Sequence, residues 1–312
     1  MDDNSVLAEE ISKFDGDFAF LIGNGINKYM SGAVSWNEFL IYLIKDKKLQ
    51  LPESVIKTLE NSESKPYLTF PEIFSLANIA WKNQKSEKEK SLKRYTAEFF
   101  SDPLRPCKLL EYAARTHKNI ITTNYDFNIE KRLKIKESPA KIPSISGISK
   151  KSYYYYLFEY FSAPDSAKVW HIHGHLKKPG SIKIGLEDYS NTFNYIKKNL
   201  FSDGKEHYNP AHGEKWLGWE SCLGPLMSKP LVIAGCGLQS EELLLRQLLL
   251  YKFHARNTKK SERKDFSAGI YLSGPEKDKN KKAFLESLGF YFIEFENYSD
   301  IYNNKIWDQL SN

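Results

Sequence analysis

Short apolar runs that end in glycine or polar turns recur along this chain, and most are followed by a segment with helical spacing. In "DFAFLIGNGIN" an apolar run over residues 18–22 enters a glycine turn, and "SWNEFLIYLIKDKK" then sets Trp36, Phe39, Leu40, Leu43 and Ile44 at helical spacing. "NIITTNYDFNIEKRL" repeats the scheme: Ile120 and Ile121 end a buried strand, "TTNYD" turns, and a helix begins near Phe127. "KPLVIAGCGLQSEELLLRQLLLYKFHA" is a third strand, glycine turn and helix. "SAGIYLSG", "KDKNKKAFLESLG" and "FYFIEFE" read as strand, helix, strand, and "IYNNKIWDQL" as a closing helix. A short helix occupies residues 1–14. "KVWHIHGHL" reads as a strand, and "SIKIGLEDYS" as another that enters the helix "NTFNYIKKNLF". "HYNPAHGEKWLGWESCLGPLM" suggests a loop and a helix. Residues 51–111 read as helices with lysine-rich connections, and residues 135–165 as turns followed by an aromatic cluster.

Strands that alternate with helices, several of them nearly continuous apolar runs, imply a mainly parallel sheet covered on both faces. The expected fold is therefore α/β, a doubly wound Rossmann-like sheet with helical insertions. One domain is expected over residues 1–312, with insertions at about 51–111 and about 127–165.

Composition narrows the class. Hydrophobic residues make up 41% and aromatic residues 14% of the 312 positions, which suits a folded globular protein. The net charge is +6, but the lysines are scattered among acids and no basic stripe with interleaved aromatics appears. Direct nucleic-acid binding is not expected. No apolar run approaches the ~20 residues that span a bilayer, and "MDDNSVLAEEISKFDGD" lacks a signal pattern, so no membrane association and a cytoplasmic location are expected. Three cysteines, Cys107, Cys222 and Cys236, cannot form a zinc ribbon of four thiolates within this chain.

Four motifs carry candidate chemistry. "GNGIN", residues 23–27, lets the backbone turn tightly and approach a phosphate, although Lys28 stands where a full G-x-G-x-x-G would place its last glycine. "TTNYD", residues 122–126, lies at the carboxyl end of a strand, where open parallel sheets bind ligands. There Asn124 has the groups to orient a ribose or a water, and Asp126 either serves the site or caps the next helix. In "KVWHIHGHL", strand alternation puts His171, His173 and His175 on one face, opposite Trp170, Ile172 and Gly174. Alternate residues on a strand lie ~6–7 Å apart, too far to share one zinc with ~2 Å bonds unless Gly174 supplies a bend. One functional histidine at the strand's end is the more economical expectation, and no metal is expected. "AGCGLQSEE", residues 234–242, makes a further glycine corner, in which Cys236 reads as a small buried residue rather than a nucleophile.

Taken in order, these pieces resemble the sirtuin-like (Sir-two type) NAD-binding family. That family carries a Gly-x-Gly turn, a Thr-x-Asn-x-Asp turn, a His-Gly pair and a late glycine-rich corner. "SWNEFL" and "IGLEDYS" resemble segments of its bacterial branch. The resemblance implies NAD as substrate, Asn124 and His173 as the catalytic pair, and Asp126 assisting at the nicotinamide-side ribose. It implies cofactor contacts at Gly23, Asn24, Gly25, Ile26, Asn27, Thr123, Gly235, Cys236, Gly237 and Leu238. It gives no role to His171 or His175. The zinc module and the Pro-Asp-Phe-Arg segment of protein-deacylating sirtuins are missing, since "KYMSGAVSW" follows Asn27.

The chain is thus similar to the divergent bacterial branch that hydrolyses NAD in anti-phage defence. An imidazole, with an ordinary pKa of about 6.5, suits a base at neutral pH. The resemblance also implies a homo-oligomer, a partner such as a HerA-type ATPase or Argonaute-type protein, or both, because an uncontrolled NAD hydrolase would poison its own cell. The aromatic run "YYYYLFEYF" is either an interface or internal packing. The alternatives are a module that senses NAD or ADP-ribose without cleaving it, and a protein deacylase.

Overall fold

The computed structural model describes residues 3–32, 36–60, 68–84, 105–140, 152–198, 216–238, 242–257, 268–275 and 278–310. The lysine-rich stretch over 85–100, Ser35 of "SWNEFL" and residues 239–241 of the late glycine corner lie outside them.

Seven strands form one sheet: β1 (Ala19–Ile22), β2 (Asn119–Thr122), β3 (Tyr160–Phe161), β4 (Lys168–His171), β5 (Leu231–Ala234), β6 (Gly269–Ser273) and β7 (Phe290–Glu294). Their spatial order is β3-β4-β2-β1-β5-β6-β7. All neighbours run parallel except β3, which pairs antiparallel with β4 at the edge. This is the α/β architecture that the apolar runs predict. β1 sits at the centre, so the carboxyl ends of β2, β1 and β5 open side by side.

Both faces of the sheet are covered. Phe20, Ile22, Ile120, Val169, Val232 and Ala234 pack on one side with Leu7, Leu109, Leu110 and Trp307. Ala19, Leu21, Ile121, Trp170, Leu231 and Ile233 pack on the other with Leu244, Leu245, Leu248 and Leu249 of the helix Leu243–Asn257. Each fully buried Val, Leu, Ile or Phe side chain among them contributes about 1.5–3 kcal/mol, which explains why the central strands show no polar alternation. A third cluster joins Phe39, Leu40 and Leu43 of the helix Trp36–Asp46 to Phe74, Ala77 and Trp81 of the helix Phe70–Gln84, and reaches Tyr125, Ile182 and Ile184. It forms one wall above the carboxyl ends of the strands.

Two expectations need correction. "KVWHIHGHL" is a strand only as far as His171, because Gly174 takes a φ of +81° and turns the chain. A Cβ on Gly174 would lie 2.2 Å from the carbonyl oxygen of Ser181, so the turn is closed by backbone packing. "SIKIG" is not a strand: Ile182 and Ile184 face the third cluster, and the Lys183 amide donates to the His173 carbonyl at 2.8 Å without a ladder. The helix there begins at Leu186, where the amides of Ile184 and Gly185 donate to the Asp188 carboxylate at 3.3 and 3.2 Å. The aromatic run packs inward: Tyr155, Tyr156, Leu157 and Phe158 are buried, while Tyr153 is exposed.

Among the described residues, no helix is long and apolar enough to cross a membrane.

Candidate functional site

A cavity of about 590 Å³ lies over the carboxyl ends of the strands. Asn24 and Gly25 line it from the corner after β1, Thr123 and Tyr125 from the corner after β2, and His173 from the turn after β4. Gly235, Cys236 and Gly237 come from the corner after β5, Ser273 and Gly274 from the end of β6, and Tyr189 from the helix Leu186–Ile196. Motifs far apart in the sequence therefore meet at one place, because parallel strands all release their turns at the same edge.

The β1 and β5 corners are pressed together. A Cβ on Gly23 would lie 2.4 Å from the Gly235 carbonyl oxygen, and one on Gly25 would lie 2.7 Å from the Gly235 Cα. The glycines are thus required by contact between two backbones. The amides of this corner are also engaged: Gly23 donates to Ala234, Gly25 to Gly235, Ile26 to Gly23 and Asn27 to Asn24. These four amides are therefore spent on backbone carbonyls rather than open to a phosphate. Positive charge comes instead from side chains that line the cavity, Lys28, Arg105 and Lys281. None of the three forms an ion pair with a described carboxylate.

Asn27 is buried and braces the turns without lining the cavity. Its Nδ2 donates to Asp126 Oδ2 at 2.7 Å and to Asn24 Oδ1 at 3.1 Å, and its Oδ1 accepts from Asn128 Nδ2 at 3.3 Å. Asp126 is consumed by the same bracing, since its Oδ1 accepts the Asn128 amide at 2.9 Å. Burial raises its carboxyl above the ordinary value, against the lowering effect of those hydrogen bonds. It is buried behind the cavity rather than in its lining. Ile26 and Leu238 are likewise buried in the two cores, outside the lining. Cys236 lines the cavity, but burial holds its thiol well above the ordinary range, as expected of an inert small residue.

Asn124 is set by its own turn. Its backbone amide donates to Thr122 Oγ1 at 3.1 Å, and its Nδ2 donates weakly to the Gly23 carbonyl at 3.4 Å. Its Oδ1 is buried with no partner among the described residues. Neither ring nitrogen of buried His173 has a hydrogen-bond partner among the described residues either. Buried polar atoms left bare cost about 1–3 kcal/mol each, so the bare ring of His173 in the cavity lining marks a place built for something else to bind, while Asn124 lies outside that lining.

The three histidines divide after the strand ends. His171 and His175 lie on one side, 5.7 Å apart between ring centroids and packed against Phe127 and Phe161. His173 lies apart from them, 5.3 Å from the Tyr189 ring. The shared face expected from alternation therefore does not form, because the chain leaves the strand at His171. His171 is tightly held: Nδ1 is 2.7 Å from the Asn124 carbonyl oxygen and Nε2 is 2.9 Å from Glu130 Oε1. Both partners can accept, so the geometry favours a ring that donates from both nitrogens. Burial opposes a charge on the ring, but the Glu130 carboxylate and the Asn124 carbonyl overcome it and hold the ring above its ordinary pKa. His175 approaches Glu159 at 3.4 Å, and burial pulls its pKa down. Among the described residues, no group of three or more His, Cys, Asp or Glu side chains is placed to hold a metal.

Sequence inspection also misses Glu242. Its Oε2 is buried without a hydrogen bond among the described residues and lies 3.5 Å from His173 Nε2. Only its position in the "QSEE" segment hinted at it, and that acid-rich stretch reads equally well as an ordinary helix start.

A family model described as SIR2-like domain matches residues 118–293, more than half of the chain, and domains of this kind use NAD. No curated protein compared with the chain matches it.

Proposed function

The chain belongs to the SIR2-like domain family, and from that premise we propose that it is an NAD glycohydrolase that releases nicotinamide and ADP-ribose. One observation supports this most: His173, both of whose buried ring nitrogens lack a hydrogen-bond partner among the described residues, lines a cavity whose volume suits a nucleotide-sized ligand. The charges of the lining fit as well. Lys28, Arg105 and Lys281 offer cations to a pyrophosphate, while Glu242 lies beside His173, where a cationic nicotinamide ring would sit.

In the reaction, the bond between ribose C1′ and the nicotinamide nitrogen breaks, and its electron pair leaves with nicotinamide, which becomes neutral. Positive charge spreads over the ribose as in glycoside hydrolysis. Water bonds to C1′ and gives its proton to His173, which later releases it to solvent. Asn124 Oδ1 accepts a hydrogen bond from that water or from a ribose hydroxyl. General-base help of this kind is worth about 10²–10⁴-fold. The buried tyrosines Tyr125 and Tyr189 form part of the cavity wall.

We further propose a role in anti-phage defence by NAD depletion, with activity held in check by self-assembly or by a partner such as a HerA-type ATPase or an Argonaute-type protein. This rests on the sequence resemblance to that branch. Peptide deacylation is disfavoured by the cysteines, all three of them buried and free. The test is release of nicotinamide from NAD by the wild type and by His173→Ala, with and without genetically neighbouring proteins. Equal release by the folded variant rejects the assignment.

A further inference from the structure

We propose that Glu242, just before the helix Leu243–Asn257, is the carboxylate that works with His173, a part that the family resemblance, which gives Asp126 a role at the nicotinamide-side ribose, leaves unassigned. This rests on the hydrolase reading above. Both oxygens of Asp126 accept hydrogen bonds from Asn27 and Asn128, and the group lies outside the cavity lining. Glu242 is the reverse case. It lines the cavity, its Oε2 is buried and bare, and that atom faces the bare Nε2 of His173 at 3.5 Å. Two unsatisfied polar atoms of opposite character, one of them a carboxylate oxygen, are the parts of an orienting pair of the kind that holds a base in one tautomer.

The proton placement follows. With the Nε2 proton directed at Glu242, Nδ1 keeps its lone pair and takes the proton from water or from a ribose hydroxyl. The ring then becomes an imidazolium, and the neighbouring carboxylate stabilises it. Glu242 is thus a positioning residue that acts through His173. Other groups near the pair do not compete for this role. Tyr125, Tyr189 and Cys236 are each held well above their ordinary pKa values, first by burial, with the Glu242 charge adding to the effect. Lys281 lines the same cavity and acts on Cys236 in the opposite sense.

The test compares Glu242→Gln, Glu242→Asp and Asp126→Asn with the wild type from pH 5 to 9, using NAD cleavage and the titration of the His173 ring by nuclear magnetic resonance. Expected for Glu242→Gln is a drop in kcat of about 10²-fold with KM within threefold. Its acidic limb moves to lower pH, and Glu242→Asp recovers part of the rate. Wild-type kcat and pH profile in a folded Glu242→Gln would overturn the proposal, as would a loss confined to Asp126→Asn. If the wild type cleaves no NAD, the hydrolase reading fails, and the His173 titration decides this proposal separately. A downward shift in Glu242→Gln supports the pair, and an unchanged titration rejects it.

Discussion

Glu130→Gln tests the buried pair behind Asn124. The His171 ring lies between two acceptors, the Asn124 carbonyl at 2.7 Å and Glu130 Oε1 at 2.9 Å, and both side chains of the ion pair are essentially inaccessible. At an effective dielectric of about 20, charges that close attract by about 5–6 kcal/mol, against a desolvation cost of several kcal/mol per ion. Glutamine keeps the shape and removes the counter-charge, so the variant should lose about 3–5 kcal/mol of stability, a large part of a typical total of about 5–15 kcal/mol. The sign with pH is fixed by the raised pKa of His171. Its contribution is complete below the unfolded value of about 6.5 and is lost as pH rises through the higher folded value. Urea denaturation at pH 6 and pH 9 should therefore show a large difference between wild type and variant at pH 6 and a smaller one at pH 9. A difference below about 1 kcal/mol at pH 6, or one that does not shrink as pH rises, refutes the charged-pair account.

Gly174→Ala should destabilise the protein by more than about 2 kcal/mol and abolish activity, because the new Cβ would meet the Ser181 carbonyl oxygen at 2.2 Å in a left-handed turn next to His173. Gly32→Ala is the control: its φ is +65° but nothing lies within 4 Å, so thermal unfolding should report only about 1 kcal/mol. Lys28→Ala and Arg105→Ala should each raise the KM for NAD while leaving kcat within about twofold, an effect that weakens with added salt. The thiol of Cys107 is pushed up to about 12 by burial, and those of Cys222 and Cys236 are raised for the same reason. A thiol reagent at pH 8 should therefore leave the native protein unlabelled and react with all three cysteines after unfolding.

The parts of this fold that declare themselves in the sequence are those whose burial is two-sided. "AFLI" and "LVIA" carry no polar residue because each strand packs on both faces, and a glycine turn follows each in register. Convergence of the turns at one sheet edge follows from parallel pairing, so the meeting of Asn24, Thr123, His173 and Gly235 was predictable from order alone. What is not legible depends on contacts without a linear signature. β3 is two residues long inside an aromatic run and has no period to detect. Ile182 and Ile184 alternate like a strand, but only because one side of the segment is buried against the third cluster. The separation of His173 from His171 and His175 depends on the positive φ of Gly174, which alternation ignores. Lys28, Arg105, Lys281 and Glu242 come from separate elements, so no charge run marks the electrostatics of the cavity.

The most direct measurement of the central claim is NAD consumption with nicotinamide and ADP-ribose identified as products, for the wild type, Asn124→Ala and His173→Ala. It should be made alone and with genetically neighbouring proteins, with folding checked by thermal unfolding. The account predicts cleavage by the wild type, and loss of about 10²-fold or more in each folded variant with NAD still bound. Cleavage at the wild-type rate by either variant contradicts it, as does a wild type that binds NAD and leaves it intact in every combination.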